Sequence, residues 1–281
     1  MAVLTVPGID LRSGDTIPVL GQGTWHLGQG RHSRAEEIRA LREGVELGMT
    51  LIDTAEMYGD GASEKLVGEA IAGRRADVFL VSKVLPSHAN RRGTTAACHG
   101  SLRRLATDQL DLYLLHWRGA IPLQETVEAF EELRAAGLIR NWGVSNFDLV
   151  DMERLLRLGG GGAQTDQVLY NLSRRGIELD LLPWCLQHGL PVMAYSPLEQ
   201  GRLLDHPVLR GIAIQRRVSP AQVALAWVLA RAGVCAIPEA GTAAHARQNR
   251  AALDLRLSEL DMLKLDEAFP PPVSPQPLEI L

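Results

Sequence analysis

The sequence predicts an α/β protein built as a single (β/α)8, or TIM, barrel over residues 1–281. An N-terminal β-hairpin region (1–18), extra C-terminal helices and a proline-rich tail (270–281) complete it. Three observations carry the prediction. Runs such as Met49-Thr50-Leu51-Ile52, Val78-Phe79-Leu80-Val81 and Leu112-Tyr113-Leu114-Leu115 are apolar on both faces, as strands buried in a parallel sheet are. Such runs alternate with capped helical segments to give eight strand–helix units, which in a chain of 281 residues favours a closed barrel over an open sheet. The open dinucleotide-binding sheet also lacks its fingerprint: Gly21-Gln22-Gly23-Thr24-Trp25-His26 has His26 where the third glycine belongs.

The elements follow in order. Leu11-Arg12-Ser13-Gly14-Asp15-Thr16-Ile17 sets a Gly-Asp turn between short flanks, a hairpin able to plug one end of a barrel. A first strand is assigned to 19–23. Ser33-Arg34-Ala35-Glu36 is a capping box and opens a helix to about residue 47. The strand ending at Asp53, a helix near 63–72, the strand ending at Lys83, a helix over 94–105 and the strand ending at His116 come next. A helix over 123–136 stops at Gly137, which suits a C-terminal cap. Strand 139–144 and helix 148–158 lead to four consecutive glycines, 159–162, which read as a flexible joint; no Lys-Ser/Thr follows to make them a phosphate loop. Strand 165–169, a helix near 177–188 and strand 191–195 precede a longer insert, 196–218, carrying a loop and an extra helix. Ser219-Pro220 starts a helix to 232, with proline at the first helical position. Strand 234–237 and helices 242–253 and 258–268 close the pattern, and the five prolines from 270 onward exclude regular structure there.

Composition narrows the function. A net charge of −4 and a pI near 6.1 provide no basic footprint for a nucleic acid. No apolar run approaches membrane-spanning length, and no basic start followed by an apolar stretch marks a secretory signal. The three cysteines, Cys98, Cys185 and Cys235, are too few and too scattered for a disulfide framework or a zinc knuckle, so a cytoplasmic location is expected. The eight histidines are likewise scattered, without a His-Glu-x-x-His pair, and no metal site is expected.

Four polar residues stand at or just beyond the ends of three successive apolar runs: Asp53, Tyr58, Lys83 and His116. A barrel gathers such ends at one rim, where its active sites lie. Each residue alone has a bland explanation: a turn cap, a half-buried aromatic, a solvated lysine, a satisfied core histidine. Together they form a set able to protonate a carbonyl oxygen as hydride reaches its carbon. Tyr58 is the acid, and a neighbouring Lys83 ammonium is expected to lower the phenol below its usual pKa of about 10. Asp53 keeps Lys83 in place and charged, and His116 orients the carbonyl.

These residues lie in motifs that resemble the aldo-keto reductase family from Gly21 to Phe269, most closely its small bacterial members that reduce methylglyoxal and related dicarbonyls. The motifs are Leu51-Ile52-Asp53-Thr54-Ala55-Glu56-Met57-Tyr58-Gly59, Val81-Ser82-Lys83, Leu110-Asp111-Leu112-Tyr113-Leu114-Leu115-His116-Trp117 and Gly143-Val144-Ser145-Asn146-Phe147, followed by Gln167, Tyr195-Ser196-Pro197-Leu198 and Ile237-Pro238. The resemblance implies a nicotinamide cofactor and the tetrad Asp53, Tyr58, Lys83 and His116. It places Ser145, Asn146 and Gln167 on the nicotinamide carboxamide and Tyr195 against the ring. Ser196, Leu198, Gln200 and Gly201 fall along the pyrophosphate, with Gly23, Thr24, Trp25 and Asp53 also facing the cofactor. Ile237, Pro238, Glu239, His245, Gln248 and Asn249 match the adenosine-binding stretch. Trp25, Met57, Tyr58, His116 and Trp117, with Phe147, are expected to wall the substrate end.

The chain departs from the family pattern after Pro238. Glu239 and Ala240 stand where relatives often carry lysine and serine, and His245 replaces an arginine. A carboxylate repels a 2′-phosphate. NADP(H) is the cofactor the resemblance implies, and Glu239 with Ala240 opens the site to NAD(H). The short tail implies an open, permissive substrate site. The expected function is NAD(P)H-dependent reduction of aldehydes and ketones, with a small-molecule carbonyl as partner and a monomeric state. The alternatives are a cofactor-binding regulatory subunit on the same fold and a phosphate-handling barrel isomerase.

Overall fold

The computed structural model describes residues 6–281; the first five residues of the expected hairpin region lie outside the described residues. β1 (Gly8–Asp10) pairs antiparallel with β2 (Thr16–Pro18), Ile9 opposite Ile17. The turn between them is closed by the Leu11 N–H to the Asp15 carbonyl at 2.7 Å, with Gly14 at φ 91°. Eight parallel strands follow: β3 (Gln22–Gly23), β4 (Leu51–Asp53), β5 (Phe79–Val84), β6 (Leu110–Leu115), β7 (Ile139–Ser145), β8 (Ala163–Leu169), β9 (Val192–Tyr195) and β10 (Val234–Ala236). They neighbour one another in sequence order from β3 to β10. Parallel bridges between Leu20 and Ala236 and between Gly23 and Glu239 join the last strand to the first and close the barrel. Gly23 is required at this seam, because an added Cβ would lie 2.6 Å from the Ile237 carbonyl oxygen.

Period-two alternation sorts the strand residues into two cores. Leu51, Phe79, Val81, Leu112, Leu114, Met193, Cys235 and Ile237 point inward and pack with Leu11 and Ile17 of the hairpin, which fill one end of the barrel. Ile52, Leu80, Tyr113, Leu115, Val144, Val168 and Ala236 point outward beneath the helices. This is why each run is apolar on both faces.

The helices are α1 (Arg34–Glu46), α2 (Ala62–Ala70), α3 (Arg91–Leu105), α4 (Leu123–Ala135), α5 (Leu149–Arg157), α6 (Leu181–Gln187), α7 (Pro207–Arg216), α8 (Pro220–Leu229), α9 (Ala243–Ala251) and α10 (Glu259–Ala268). The capping box expected at Ser33 is formed, and the Ser219 cap proves to be a second one, closed by Gln222. Three local expectations are corrected. α3 begins at Arg91, because the Asn90 side chain accepts the Gly93 N–H at 2.7 Å and sets an earlier cap. The helix expected near 177–188 is broken: a 3₁₀ turn (Gly176–Glu178) precedes α6, and Asp180, at φ −134° and ψ −65°, caps α6 with its carboxylate 2.6 Å from the Leu181 N–H. The glycine run is a packed 3₁₀ turn (Gly160–Gly162), not a joint; a Cβ on Gly162 would meet Glu131 Oε1 at 2.6 Å and Trp142 Nε1 at 3.1 Å.

Candidate active site

Strand parity explains how the polar residues meet. Asp53 follows outward Ile52, Lys83 lies two residues beyond inward Val81, and His116 two beyond inward Leu114. Ser82, between Val81 and Lys83, faces the other way and donates to Glu64 of α2 at 2.6 Å. Tyr58 is on no strand. It begins a 3₁₀ turn (Tyr58–Gly61) whose Gly59 and Asp60 both take left-handed backbone conformations, at φ 55° and 52°. That turn drops the phenol onto the barrel mouth.

The Lys83 ammonium is the hub. Its Nζ lies 2.7 Å from Asp53 Oδ2, 3.0 Å from the Thr54 carbonyl oxygen and 3.0 Å from the Tyr58 hydroxyl. Lys83 is fully buried and Asp53 nearly so. An ammonium in that position is stabilised only because all three of its donors find oxygens. The second Asp53 oxygen accepts from Gln167 Nε2 at 2.8 Å, and the Asp53 backbone carbonyl accepts from Thr24 Oγ1 at 2.9 Å. The His116 ring meets the Tyr58 ring edge-on, centroids 5.7 Å apart, and its Nδ1 is buried without a partner.

The electrostatics correct one expectation. The Tyr58 hydroxyl is not made a stronger acid at rest: burial, with Asp53 and Glu239 behind it, holds the phenol well above its ordinary pKa. The nearby ammonium is largely cancelled by its own carboxylate partner, so desolvation wins. Burial also pulls Lys83 down, opposed by Asp53. Burial and the Lys83 charge push His116 down to about 2, so the imidazole is neutral. The resting site therefore holds a protonated phenol, an ion pair and a neutral imidazole.

A cleft of about 300 Å³ opens above this cluster. Gly23, Thr24, Trp25, Asp53, Ser145, Asn146, Gln167, Tyr195, Ser196, Leu198, Gln200, Gly201, Ile237, Pro238 and Glu239 all line it, as do Met57, Tyr58, His116 and Trp117. Ser145 Oγ donates to the Gln167 carbonyl at 2.8 Å. Asn146 Nδ2 donates to the His116 carbonyl at 3.1 Å, and the Tyr195 hydroxyl donates to Asn146 Oδ1 at 2.9 Å. The half-buried Tyr195 ring beside an amide pair offers a flat apolar face with a donor and an acceptor at its edge, which fits a nicotinamide carboxamide. His245, Gln248 and Asn249 are not brought to the cleft: they lie on α9, His245 and Gln248 exposed and Asn249 buried. Phe147 is fully buried in the outer core and walls nothing.

Five lining residues were missed: His26, Arg31, Pro197, Ile280 and Leu281. His26 and Pro197 adjoin Trp25 and Ser196, the available signal; Arg31, six residues beyond Trp25, carried none. Ile280 and Leu281 carried none; the short tail places these two residues on the wall of the cleft. The tail folds back so that these two residues line the cleft, with the Leu281 N–H 3.5 Å from the Tyr195 hydroxyl. Glu239 accepts the His26 backbone N–H at 2.8 Å and faces His26 Nδ1 at 3.3 Å.

The turn after β9 is under backbone strain. Ser196, Glu199 and Gln200 all sit at positive φ, 46°, 48° and 55°, each at a cost of about 1–2 kcal/mol for a residue with a Cβ. Glu199 holds it: its buried carboxylate accepts from Asn171 Nδ2 at 2.8 Å and pairs with Arg174 Nη2 at 3.0 Å. Gly201 ends the turn at φ 88°, where glycine is unstrained.

Comparison with known proteins agrees with this geometry. Residues 19–269 match the model of the aldo/keto reductase family. The chain belongs to the aldo/keto reductase family. It is 54% identical to the methylglyoxal reductase YeaE of Escherichia coli, over 96% of this chain and 97% of that one. It is 35% identical to the glyoxal reductase of Bacillus subtilis, with 97% of each covered. Among solved structures, an aldo/keto reductase from Klebsiella pneumoniae in complex with NADP and acetate superposes with a TM-score of 0.95 at 50% identity, covering 99% of this chain and all of that one. This aldo/keto reductase is thus an oxidoreductase on a (β/α)8 barrel. Among its described residues no helix is long and apolar enough to cross a membrane.

Proposed function

We propose that this aldo/keto reductase reduces small aldehydes and ketones, methylglyoxal and related dicarbonyls among them, with NADP(H) as the first cofactor and NAD(H) as an accepted second. The observation that carries the reading is the hydrogen bond of Lys83 Nζ to the Tyr58 hydroxyl at 3.0 Å, inside a cleft that also holds a neutral His116. A nicotinamide dinucleotide held in this cleft would supply the hydride that reaches the carbonyl carbon. Tyr58 gives its proton to the carbonyl oxygen as negative charge develops there. Lys83, hydrogen-bonded to the phenol, stabilises the phenolate left behind, and Asp53 keeps that ammonium in place. The burial that keeps the phenol protonated at rest is useful here, since only the protonated form can donate. The neutral imidazole of His116 offers its single N–H to the substrate oxygen.

Ser145, Asn146, Gln167 and Tyr195 would hold the nicotinamide, and Ser196, Leu198, Gln200 and Gly201 the pyrophosphate. NADP(H) comes first because the Klebsiella structure at 50% identity carries NADP. Glu239 argues for NAD(H) as well, although its carboxylate is partly engaged by His26. Trp25, Met57 and Trp117 would bound a small substrate together with Ile280 and Leu281. A cytoplasmic monomer of one barrel domain completes the reading; three free, buried cysteines suit a reducing compartment.

The test is oxidation of NADPH and of NADH, followed by absorbance, on addition of methylglyoxal. The Tyr58→Phe variant should lose at least about a hundredfold in kcat, the range general-acid catalysis supplies, while cofactor affinity stays within about twofold. Turnover at the wild-type rate in that variant would assign the proton to another group.

A further inference from the structure

One guanidinium reaches two separate walls of the cleft. Arg174 lies just after β8, its backbone N–H bonded to the Asn171 carbonyl at 3.0 Å. Its Nε and Nη2 donate to Glu199 Oε1 at 3.2 and 3.0 Å, and its Nη1 donates to Glu279. Glu199 anchors the turn whose Ser196, Gln200 and Gly201 line the cofactor side. Glu279 immediately precedes Ile280 and Leu281, which line the same cleft next to Tyr195. Neither wall is held in this form by regular structure. The turn carries consecutive residues at positive φ, and the tail beyond α10 has no helix or strand. Asn171 reinforces the first wall by donating to both Glu199 Oε2, at 2.8 Å, and the Ser196 carbonyl, at 2.9 Å. For the second wall, the Glu279 carboxylate on Arg174 is the one ion pair of the tail among the described residues.

We infer that Arg174 is a positioning residue that couples cofactor binding to carbonyl-substrate binding; the inference rests on the reductase reading above. An arginine fork ordered by one carboxylate has less freedom left to lose when it meets a second. A dinucleotide that settles the 196–201 turn therefore orders Arg174, and Arg174 in turn seats the tail over the substrate. Coupling of this kind is reciprocal: substrate favours cofactor by the same factor. Arg174 touches none of the four tetrad side chains, so the chemical step is left unchanged.

Three measurements on the full chain test this: NADPH affinity by quenching of tryptophan fluorescence, the KM for methylglyoxal, and hydrogen exchange of residues 276–281 with and without NADPH. In the wild type, NADPH should slow exchange in the tail. Glu279→Gln should raise the KM about threefold, weaken NADPH binding by a factor smaller than in Arg174→Ala, and abolish the NADPH-dependent protection. Arg174→Ala should weaken NADPH binding and raise the KM, each about fivefold, with kcat within twofold; Arg174→Lys should recover part of both. The Arg174→Ala, Glu279→Gln double variant should have the same KM as Arg174→Ala alone. Arg174→Ala moving only one of the two constants, or tail exchange indifferent to NADPH in the wild type, would overturn the coupling while the reductase reading stands. A wild type that neither binds nor oxidises NADPH and NADH would overturn both. If Arg174→Ala fails to fold, Glu279→Gln decides alone, and unchanged protection in it refutes the inference.

Discussion

Asp166 is a carboxyl with nowhere to put a charge. It lies on β8 between Thr165 and Gln167; Gln167 faces the cleft, so alternation turns Asp166 outward beneath the helices. It is fully buried, and neither oxygen has a well-formed hydrogen bond. Burial raises its pKa well above 3.8, with Asp151 and Asp148 adding to the rise; only the nearby Phe147 backbone amide opposes it. The native state therefore keeps a proton that the unfolded chain, with an aspartate near pKa 3.9, gives up. The sign follows from linkage. Where the folded state binds more protons than the unfolded one, stability falls as pH rises, by about 1.4 kcal/mol per pH unit for one proton. The contribution is most favourable below the ordinary aspartate range and declines as pH climbs towards the raised folded value. Between the ordinary aspartate value and the raised folded value, this single site should lower stability steadily as pH rises. Asp166→Asn keeps the shape and has no proton to hold. Urea unfolding across that window should show a stability curve flatter by about 1.4 kcal/mol per pH unit, with the variant gaining on the wild type at the upper end. Parallel curves for the two proteins would show that Asp166 is ionised in the fold and that the desolvation argument is wrong.

Two further outcomes follow from the site. Since burial and Lys83 hold His116 at about 2, kcat/KM for methylglyoxal should show no inflection from this imidazole between about pH 5 and pH 8; an ionisation near the ordinary histidine value of about 6.5 that disappears in His116→Gln would contradict the neutral assignment. Glu239→Lys exchanges a repelling charge for an attracting one at the partly exposed end of the cleft. It should tighten NADPH about tenfold, or roughly 1.4 kcal/mol, with little effect on NADH, as measured by fluorescence titration. Equal changes for both cofactors would place Glu239 away from the 2′-phosphate.

The order of elements was readable because it is a local property. The capping box at Ser33, the Ser219-Pro220 helix start, the stop at Gly137 and doubly apolar strand runs record backbone preferences and burial within a few residues. The helix broken at Asp180 was misread because apolar content there continues on both sides of the break, and only a side-chain cap onto Leu181 interrupts it. The glycine run looked mobile because composition does not reveal that Glu131 and Trp142 pack against it.

The sequence by itself determined the barrel and placed Asp53, Lys83 and His116 at one mouth, because period-two alternation and strand ends are written in the chain. Tertiary structure alone decided two things. It set the acidity of Tyr58, where burial outweighs an ammonium already neutralised by Asp53; that balance depends on how much water is excluded, which no spacing encodes. It also brought Glu279, Ile280 and Leu281 across the cleft to Arg174 and Tyr195, contacts spanning some hundred residues of chain that neither composition nor periodicity reports.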